Sequence, residues 1–346
     1  MICIATYCQV KSKKSINSAT HNLILNLKNL TFTISQRISP KDLYADWCYM
    51  NKTISLREAV RLILLNRHPK PVIALHEFNE HLYQLYLDKS YDGVPIGKIQ
   101  TAEPDGRILS DILSDMLHQG ILLPAIDGYV WQISNRDIAT AQQQVCDLNP
   151  YSHLSCLSAM EWHGLTDRIP HVLHVTQAKL SAARKLHEKY LRTRFPNLKT
   201  VLPLLPRGFV PHEKIDGKTL VQHARTKYRP RPELHGSGGI RVTSLGETFL
   251  DMLRDPELCG GYSHVEDIFR DRAAEHLPVI VKTVDKEGSA IDKARTGYIL
   301  EEVCGLSHRI LEKWKETVQR GGSRRLVASN PYKNVFSEVW CISINN

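Results

Sequence analysis

The 346-residue chain has no run of 18 or more apolar residues, which excludes an ordinary membrane-spanning helix. It has no Cys-x-x-Cys pair: its eight cysteines stand at 3, 8, 48, 146, 156, 259, 304 and 341. That scatter argues against a disulfide frame or zinc site and reads as reduced, partly buried thiols in a cytoplasm. The first 25 residues mix Lys, Ser and Asn with apolar residues and never build the apolar stretch of a secretion signal. No G-x-S-x-G, kinase or dinucleotide signature occurs. Gly236-Ser237-Gly238-Gly239 is glycine-rich, but it precedes a predicted strand and lacks the Lys-Ser or Lys-Thr of a phosphate loop. A phosphate cradle needs the N–H groups of a following helix, so this stretch reads as a turn. His76 and His81 are five apart with Glu77 between them. Five residues turn them to different helix faces, which excludes a shared zinc. No catalytic residue, metal or cofactor is expected, and the chain reads as a non-enzyme.

What is present is the composition of a globular protein: 42% hydrophobic and 23% charged residues. The length allows two or three domains. Lys and Arg number 45 against 36 acidic residues, a net charge of +9 that suits a nucleic-acid partner without proving one. The charge is uneven. Residues 1–49 carry 6 basic and 2 acidic residues, 50–150 carry 9 and 12, and 151–346 carry 30 and 22. Within the last block, residues 179–241 carry 15 basic and 4 acidic. Residues 1–49 also lack glycine and hold three of the cysteines. We expect Met50 to be the natural start and 1–49 a non-native extension, a genuine N-terminal arm being the other reading.

Ser55-Leu56-Arg57-Glu58 is a capping box followed by an apolar stripe at 56, 59, 60, 63 and 64. Pro69 and Pro71 end that helix, and a second is predicted over 72–88. A loop with Gly93, Pro95 and Gly97 follows. Pro104-Asp105-Gly106 opens a third helix, with Leu109, Ile112 and Met116 on one face and Gly120 as its stop. Ile121 to Pro124 and Tyr129 to Ile133 then read as a hairpin. Helices followed by a hairpin match a winged helix-turn-helix over 50–149. Its recognition helix would offer Arg107, Ser110, Asp111, Ser114, Asp115 and His118 to DNA. Two aspartates facing phosphates are a cost.

Residues 134–150 read as a polar, Gln-rich connection, and the next domain is predicted over 150–346. Its expected elements are a helix capped by Ser152, a strand at 171–176, a basic helix at 178–190 and a strand over 201–210. A strand at 240–243 and a helix boxed by Ser244 and Glu247 come next. Helices over 264–276, 277–284 and 291–299, a last helix capped by Ser307, and a strand over 339–344 complete it. The fold class is α+β: an N-terminal winged helix-turn-helix, then a mixed α/β domain with a largely helical C-terminal part. His163 reads as helix-end packing. Glu247 belongs to its capping box, and Asp251, on the same face, to a buried polar contact.

Three blocks in order carry a resemblance. They are Tyr151-Ser152-His153-Leu154-Ser155-Cys156-Leu157-Ser158-Ala159-Met160 with His163-Gly164-Leu165-Thr166 and Pro170; Ile240-Arg241-Val242-Thr243-Ser244-Leu245-Gly246-Glu247-Thr248-Phe249-Leu250-Asp251-Met252-Leu253 with Pro256 and Gly260-Gly261; and Ala294-Arg295-Thr296-Gly297-Tyr298-Ile299-Leu300-Glu301. With the predicted winged helix before them, residues 50–346 resemble the AbiEi-type antitoxins. The resemblance implies a bacterial antitoxin of a two-gene toxin–antitoxin or abortive-infection system, used in phage defence. Such a protein represses its own operon by binding inverted repeats in the promoter. It neutralises a nucleotidyltransferase-like toxin through its C-terminal domain, usually without a stable complex. This sequence departs from the pattern in its net-acidic winged-helix segment and its separated first two helices.

Duplex affinity comes largely from Lys and Arg at phosphates. The second domain would supply them from Arg184 and Lys185, with Lys189, Arg192 and Arg194, and from Arg225, Lys227, Arg229 and Arg231. The candidate DNA contacts are therefore Arg107, Ser110, Ser114 and His118 for bases or register, and the basic residues for phosphates. Beside this stand two other readings: a toxin-directed interaction protein that binds no DNA, its basic surface being a solvated face or a hold on the toxin, and a nucleotide-dependent enzyme for which no motif speaks.

Overall fold

The computed structural model describes residues 53–206, 214–225, 228–318 and 324–346. Residues 1–49 and Lys227 lie outside the described residues. The protein is mixed α+β. The chain divides into two compact units, one of residues 1–55 with 89–98, the other of 56–88 with 99–346. In the described part of the first, Ser90–Tyr91 pairs antiparallel with Val94–Pro95 where a loop was expected. Asp92 and Gly93 both have positive φ, 51° and 79°, the requirement of a tight hairpin turn that Asp-Gly meets readily. Ile54 bridges Ile96 alongside it.

The second unit opens with helix α1, Leu56–Leu62, which runs on as a π turn and stops at Arg67, before Pro69. The helix expected over 72–88 begins three residues late. Val72–Ala74 form strand β1, and α2 spans Leu75–Asp88. Tertiary pairing wins here: Val72, Ile73 and Ala74 face Gln132, Trp131 and Val130 in an antiparallel ladder. Helix α3, Gly106–His118, follows the expectation. Asp105 caps it by accepting from the Ile108 N–H at 2.8 Å, and Gly120 leaves it at φ +66°. β2, Leu122–Ile126, and β3, Val130–Ile133, form the hairpin and complete an antiparallel sheet of order β1-β3-β2.

The connection expected at 134–150 contains helix α4, Ala141–Leu148, started by a Thr140/Gln143 capping box. It was illegible because its buried side mixes Val145, Cys146 and Leu148 with Gln144 and Asp147. A second sheet holds β4, Ser152–Leu154; β5, Val172–Ala178; β6, Lys214–Ile215; and β7, Lys218–Arg225, in the order β4-β5-β7-β6. Ser152 is therefore a strand residue, not a cap, and helix α5 runs from Cys156 to Trp162. β5 and β7 are parallel and joined through helix α6, Leu180–Arg194. β7 was not foreseen. The strand expected from Val201 is instead a single 3-10 turn at Leu202–Leu204, consistent with Pro203 and Pro206 lacking a ladder donor. Residues 207–210 of that expectation lie outside the described residues. The strand expected at 240–243 is reduced to one bridge, Leu154 to Val242. One apolar cluster runs from Val72 through Val145 and Leu154 to Val242, across the 149–150 position.

Among the described residues four α-helices close the unit: α7, Leu245–Arg254; α8, Tyr262–Glu287; α9, Ala290–Tyr298; and α10, Arg309–Thr317. Their core contains Phe249, Phe269, Trp314 and Trp340. α8 is one helix with Pro278 inside it, where two shorter ones were expected. Pro278 interrupts the backbone ladder, but Ile280, Val281 and Val284 bury beyond it and keep the helix going. His308, not Ser307, caps α10, its Nδ1 accepting from the Ile310 N–H at 3.2 Å. The strand expected over 339–344 reduces to β9, Ile342–Ser343, paired with β8, Phe336–Ser337. Among the described residues no helix is long and apolar enough to cross a membrane.

Candidate functional site

Helix α3 buries Leu109, Ile112 and Met116. Its opposite face leaves Arg107, Ser110, Asp111, Ser114 and His118 exposed. Asp115 is half-buried. It accepts from Gln119 Nε2 at 2.9 Å and lies 3.9 Å from the Arg57 guanidinium. Of the two aspartates that burdened this face, one is thus already partnered. Ser110 donates to the Arg107 carbonyl at 2.9 Å, which leaves its hydroxyl oxygen free to accept.

Helix α6 buries Ala183, His187 and Leu191. Arg184, Lys185, Lys189 and Arg192 are exposed, and at 100° per residue they fall on one face. None of the four makes an ion pair among the described residues. Arg194 turns away from them, donating to Tyr190 Oη at 2.8 Å and lying 3.6 Å from Glu80.

The arginines after β7 have a different setting. Arg225 pairs with Asp255 at 3.0 Å, Arg229 with Glu287 at 2.6 Å, and Arg231 with Glu247. They surround a cavity of about 630 Å³ with Tyr228, Asp251 and Arg254. Glu247 keeps its expected role, accepting from the Ser244 N–H at 3.3 Å and hydroxyl at 2.6 Å. Asp251 lies beside the Arg254 and Arg225 charges and lines the cavity, with no hydrogen bond to its carboxylate among the described residues; burial, outweighing those two cations, pushes it up to about 7. Sequence reasoning saw Glu247 and Asp251 on one helix face but had no means of bringing residues 225–231 against it.

A second cavity, of about 230 Å³, lies among residues that sequence reasoning set aside. Lys70 pairs there with Glu77 at 2.8 Å and with Asp147. Burial alone would lower the Lys70 ammonium, but the two carboxylates hold it above its usual range. His76 meets the His187 ring edge-on at 5.6 Å, and His81 Nε2 lies 3.2 Å from His68 Nδ1. His76 and His81 do find different partners, yet both line this cavity. Burial depresses the imidazoles, His68 and His187 to about 4, His81 to about 3, and His76 well below its ordinary value. It raises Glu80 to about 7 and Asp147 to about 6. No group of three potential ligands that would hold a metal ion occurs among the described residues. His163 packs as expected at a helix end, its Nε2 lying 2.7 Å from the Thr243 carbonyl. The signal available for this cavity was a pair of lone charges, Lys70 between Pro69 and Pro71, and Asp147 as the single charge of α4.

No family model matches the chain, and no curated protein matches it. Among solved structures it is similar to the RV2827C protein from Mycobacterium tuberculosis, at 11% identity and a TM-score of 0.43, over 83% of this chain and 90% of that one.

Proposed function

We propose that the protein is a DNA-binding antitoxin of the AbiEi type, acting in the cytoplasm, that represses its own operon and neutralises a nucleotidyltransferase-like toxin. α1, α2, α3 and the β2–β3 hairpin would be its winged helix-turn-helix. The observation that carries the reading is α3: a well-capped helix packed by one face, with Arg107, Ser110, Ser114 and His118 free on the other and a two-stranded hairpin directly after it. Those side chains suit base edges, Arg for guanine and Ser for either donor or acceptor. Arg184, Lys185, Lys189 and Arg192 on α6, without ion pairs among the described residues, suit phosphates. The C-terminal blocks that carry the resemblance would serve the toxin-directed role.

The test is binding of the full chain to its own upstream DNA and to scrambled DNA across a salt series. Specific binding with a steep salt slope is expected. Replacing Arg107 and Ser110 by Ala should cost about 1–3 kcal/mol per lost base contact and erase the preference for the native sequence. Neutralising Arg184 and Lys185 should weaken both DNAs alike and flatten the slope by about one unit per lost phosphate contact. Affinity that survives Arg107→Ala with Ser110→Ala removes α3 from the interface. One observation favours a second reading, an interaction protein directed at the toxin without DNA: Arg225, Arg229 and Arg231 each face a carboxylate, so the most basic run of the sequence presents less net positive charge to a duplex than its composition suggests. Absence of DNA binding at modest salt selects that reading.

A further inference from the structure

The cavity beside β7 is lined by no residue of α3 or α6, and its placement is that of a ligand site. β5 and β7 are parallel neighbours, and Thr176 and Arg225, near their carboxyl ends, both line it. In open sheets of mostly parallel strands ligands settle outside those carboxyl ends, and the one parallel pair of this mixed sheet presents the same kind of edge. At about 630 Å³ it falls in the range of small-molecule sites.

Its chemistry is specific. Four guanidinium groups line it, from Arg225, Arg229, Arg231 and Arg254. Arg254 is committed to Asp292 at 2.8 Å, and Arg231 to Glu247. The other two pairs are loose. Arg225–Asp255 leaves its side chains 47% and 37% exposed, and Arg229 in Arg229–Glu287 is 67% exposed. Ion pairs this exposed contribute little and exchange readily for a better anion. Guanidinium forks match phosphate oxygens two at a time. Two groups in the lining lack hydrogen-bond partners among the described residues: Arg231 Nε is buried without an acceptor, and the Asp251 carboxylate, though beside the Arg254 and Arg225 charges, accepts no hydrogen bond. An anion drawing on Arg225 would leave the Asp251 carboxylate still without a hydrogen-bond donor, so the ligand carries a donor as well. Tyr228 and His153 stack at 5.5 Å and give the cavity a flat wall.

We propose that this cavity binds a phosphomonoester of a small molecule, with Arg225 and Arg229 on the phosphate and Asp251 on a hydroxyl of the remainder. Arg231 Nε adds a third donor to the phosphate side.

Calorimetric titration of the full chain with ribose 5-phosphate, inorganic phosphate and ribose tests it. Saturable one-to-one binding of ribose 5-phosphate is expected, with inorganic phosphate weaker and ribose at least tenfold weaker. R225Q with R229Q should cut the affinity for ribose 5-phosphate at least tenfold, while R272Q, at an exposed site on α8, should leave it unchanged. E287Q, which releases Arg229, should tighten binding several-fold, a change that misfolding cannot produce. The inference is overturned if ribose 5-phosphate binds no better than ribose, if the double variant binds as well as the parent, or if E287Q does not tighten. It is also overturned if a short DNA duplex displaces ribose 5-phosphate, for the arginines would then be a nucleic-acid surface. Operator binding by the same R225Q/R229Q protein reports on α3 separately, so either reading can fail alone.

Discussion

Arg241 is 3% exposed and joins three stretches of chain. Its guanidinium donates to the carbonyls of Ser152 at 3.0 Å, Asn149 at 3.1 Å and Cys146, and pairs with Glu233 at 2.9 Å. These carbonyls lie in the last turn of α4, the connection after it and the first residue of β4, and a carbonyl in a helix's last turn has no intrahelical donor. Replacing Arg241 by Ala leaves several buried acceptors without donors and should cost about 3–5 kcal/mol. The measurement is the urea midpoint; a loss below about 1 kcal/mol would mean that water takes over the donors. Asp251 shows the opposite condition. A buried carboxylate without a donor is a cost to the fold, and such costs cluster where a ligand is received.

At the scale of elements, the blocks that carry the family resemblance are largely packing devices. An added Cβ at Gly246 would collide with Thr283 and come within 2.9 Å of the Val279 carbonyl, so α7 and α8 approach as closely as they do because residue 246 has no side chain. Gly297 likewise lies under the Trp340 ring. Gly246→Ala should therefore destabilise by about 1–3 kcal/mol through overpacking, read as a lower melting temperature with the secondary structure retained. An unchanged melt would show that α8 can give way. The same elements explain what the sequence disclosed. α3 was readable because Asp105, the 109–112–116 stripe and Gly120 all lie within one short window and agree. α7 was readable from its box. α4 was not, because Gln144 and Asp147 are buried by partners far away, Asp216 at 3.2 Å and Lys70. β7 is different: its partner β5 lies 47 residues earlier and encodes nothing local, yet the Asp216-Gly217 turn from β6, with φ of 48° and 77°, was a hairpin signal that went unread. The cavity of four arginines assembles residues from β5, β7, α7 and the end of α8, a juxtaposition that no local pattern encodes.

For the whole molecule, buried titratable groups set how stability follows pH. Burial depresses His68, His174 and His187 to about 4 and His81 and His153 to about 3, with His76 also well below its usual value. The native chain keeps these imidazoles neutral, whereas the unfolded chain takes up protons as pH falls through 6.5. Stability they contribute is therefore lost between about pH 6.5 and 4. Glu80 and Asp251, raised to about 7, and Asp147, raised to about 6, act in the other direction: their contribution is present on the acid side and fades as pH rises toward 7. The imidazoles are more numerous, so the balance favours loss on acidification, by about 1.4 kcal/mol per pH unit for each excess proton bound by the unfolded chain. Stability should be greatest near neutrality and fall by a few kcal/mol by pH 5. A urea midpoint that stays constant from pH 7 to pH 5 would contradict it. The reach of Arg241 also bears on how the protein comes into being. As the chain emerges from the ribosome, residues 146–152 wait about 90 residues for the guanidinium that completes them, and Leu154 waits as long for Val242. Domains complete during synthesis only when their contacts lie behind the exit point. The chain stays unfinished until residue 242 of 346 has been made, so a truncated or stalled product would be a substrate for proteases rather than a partly working protein.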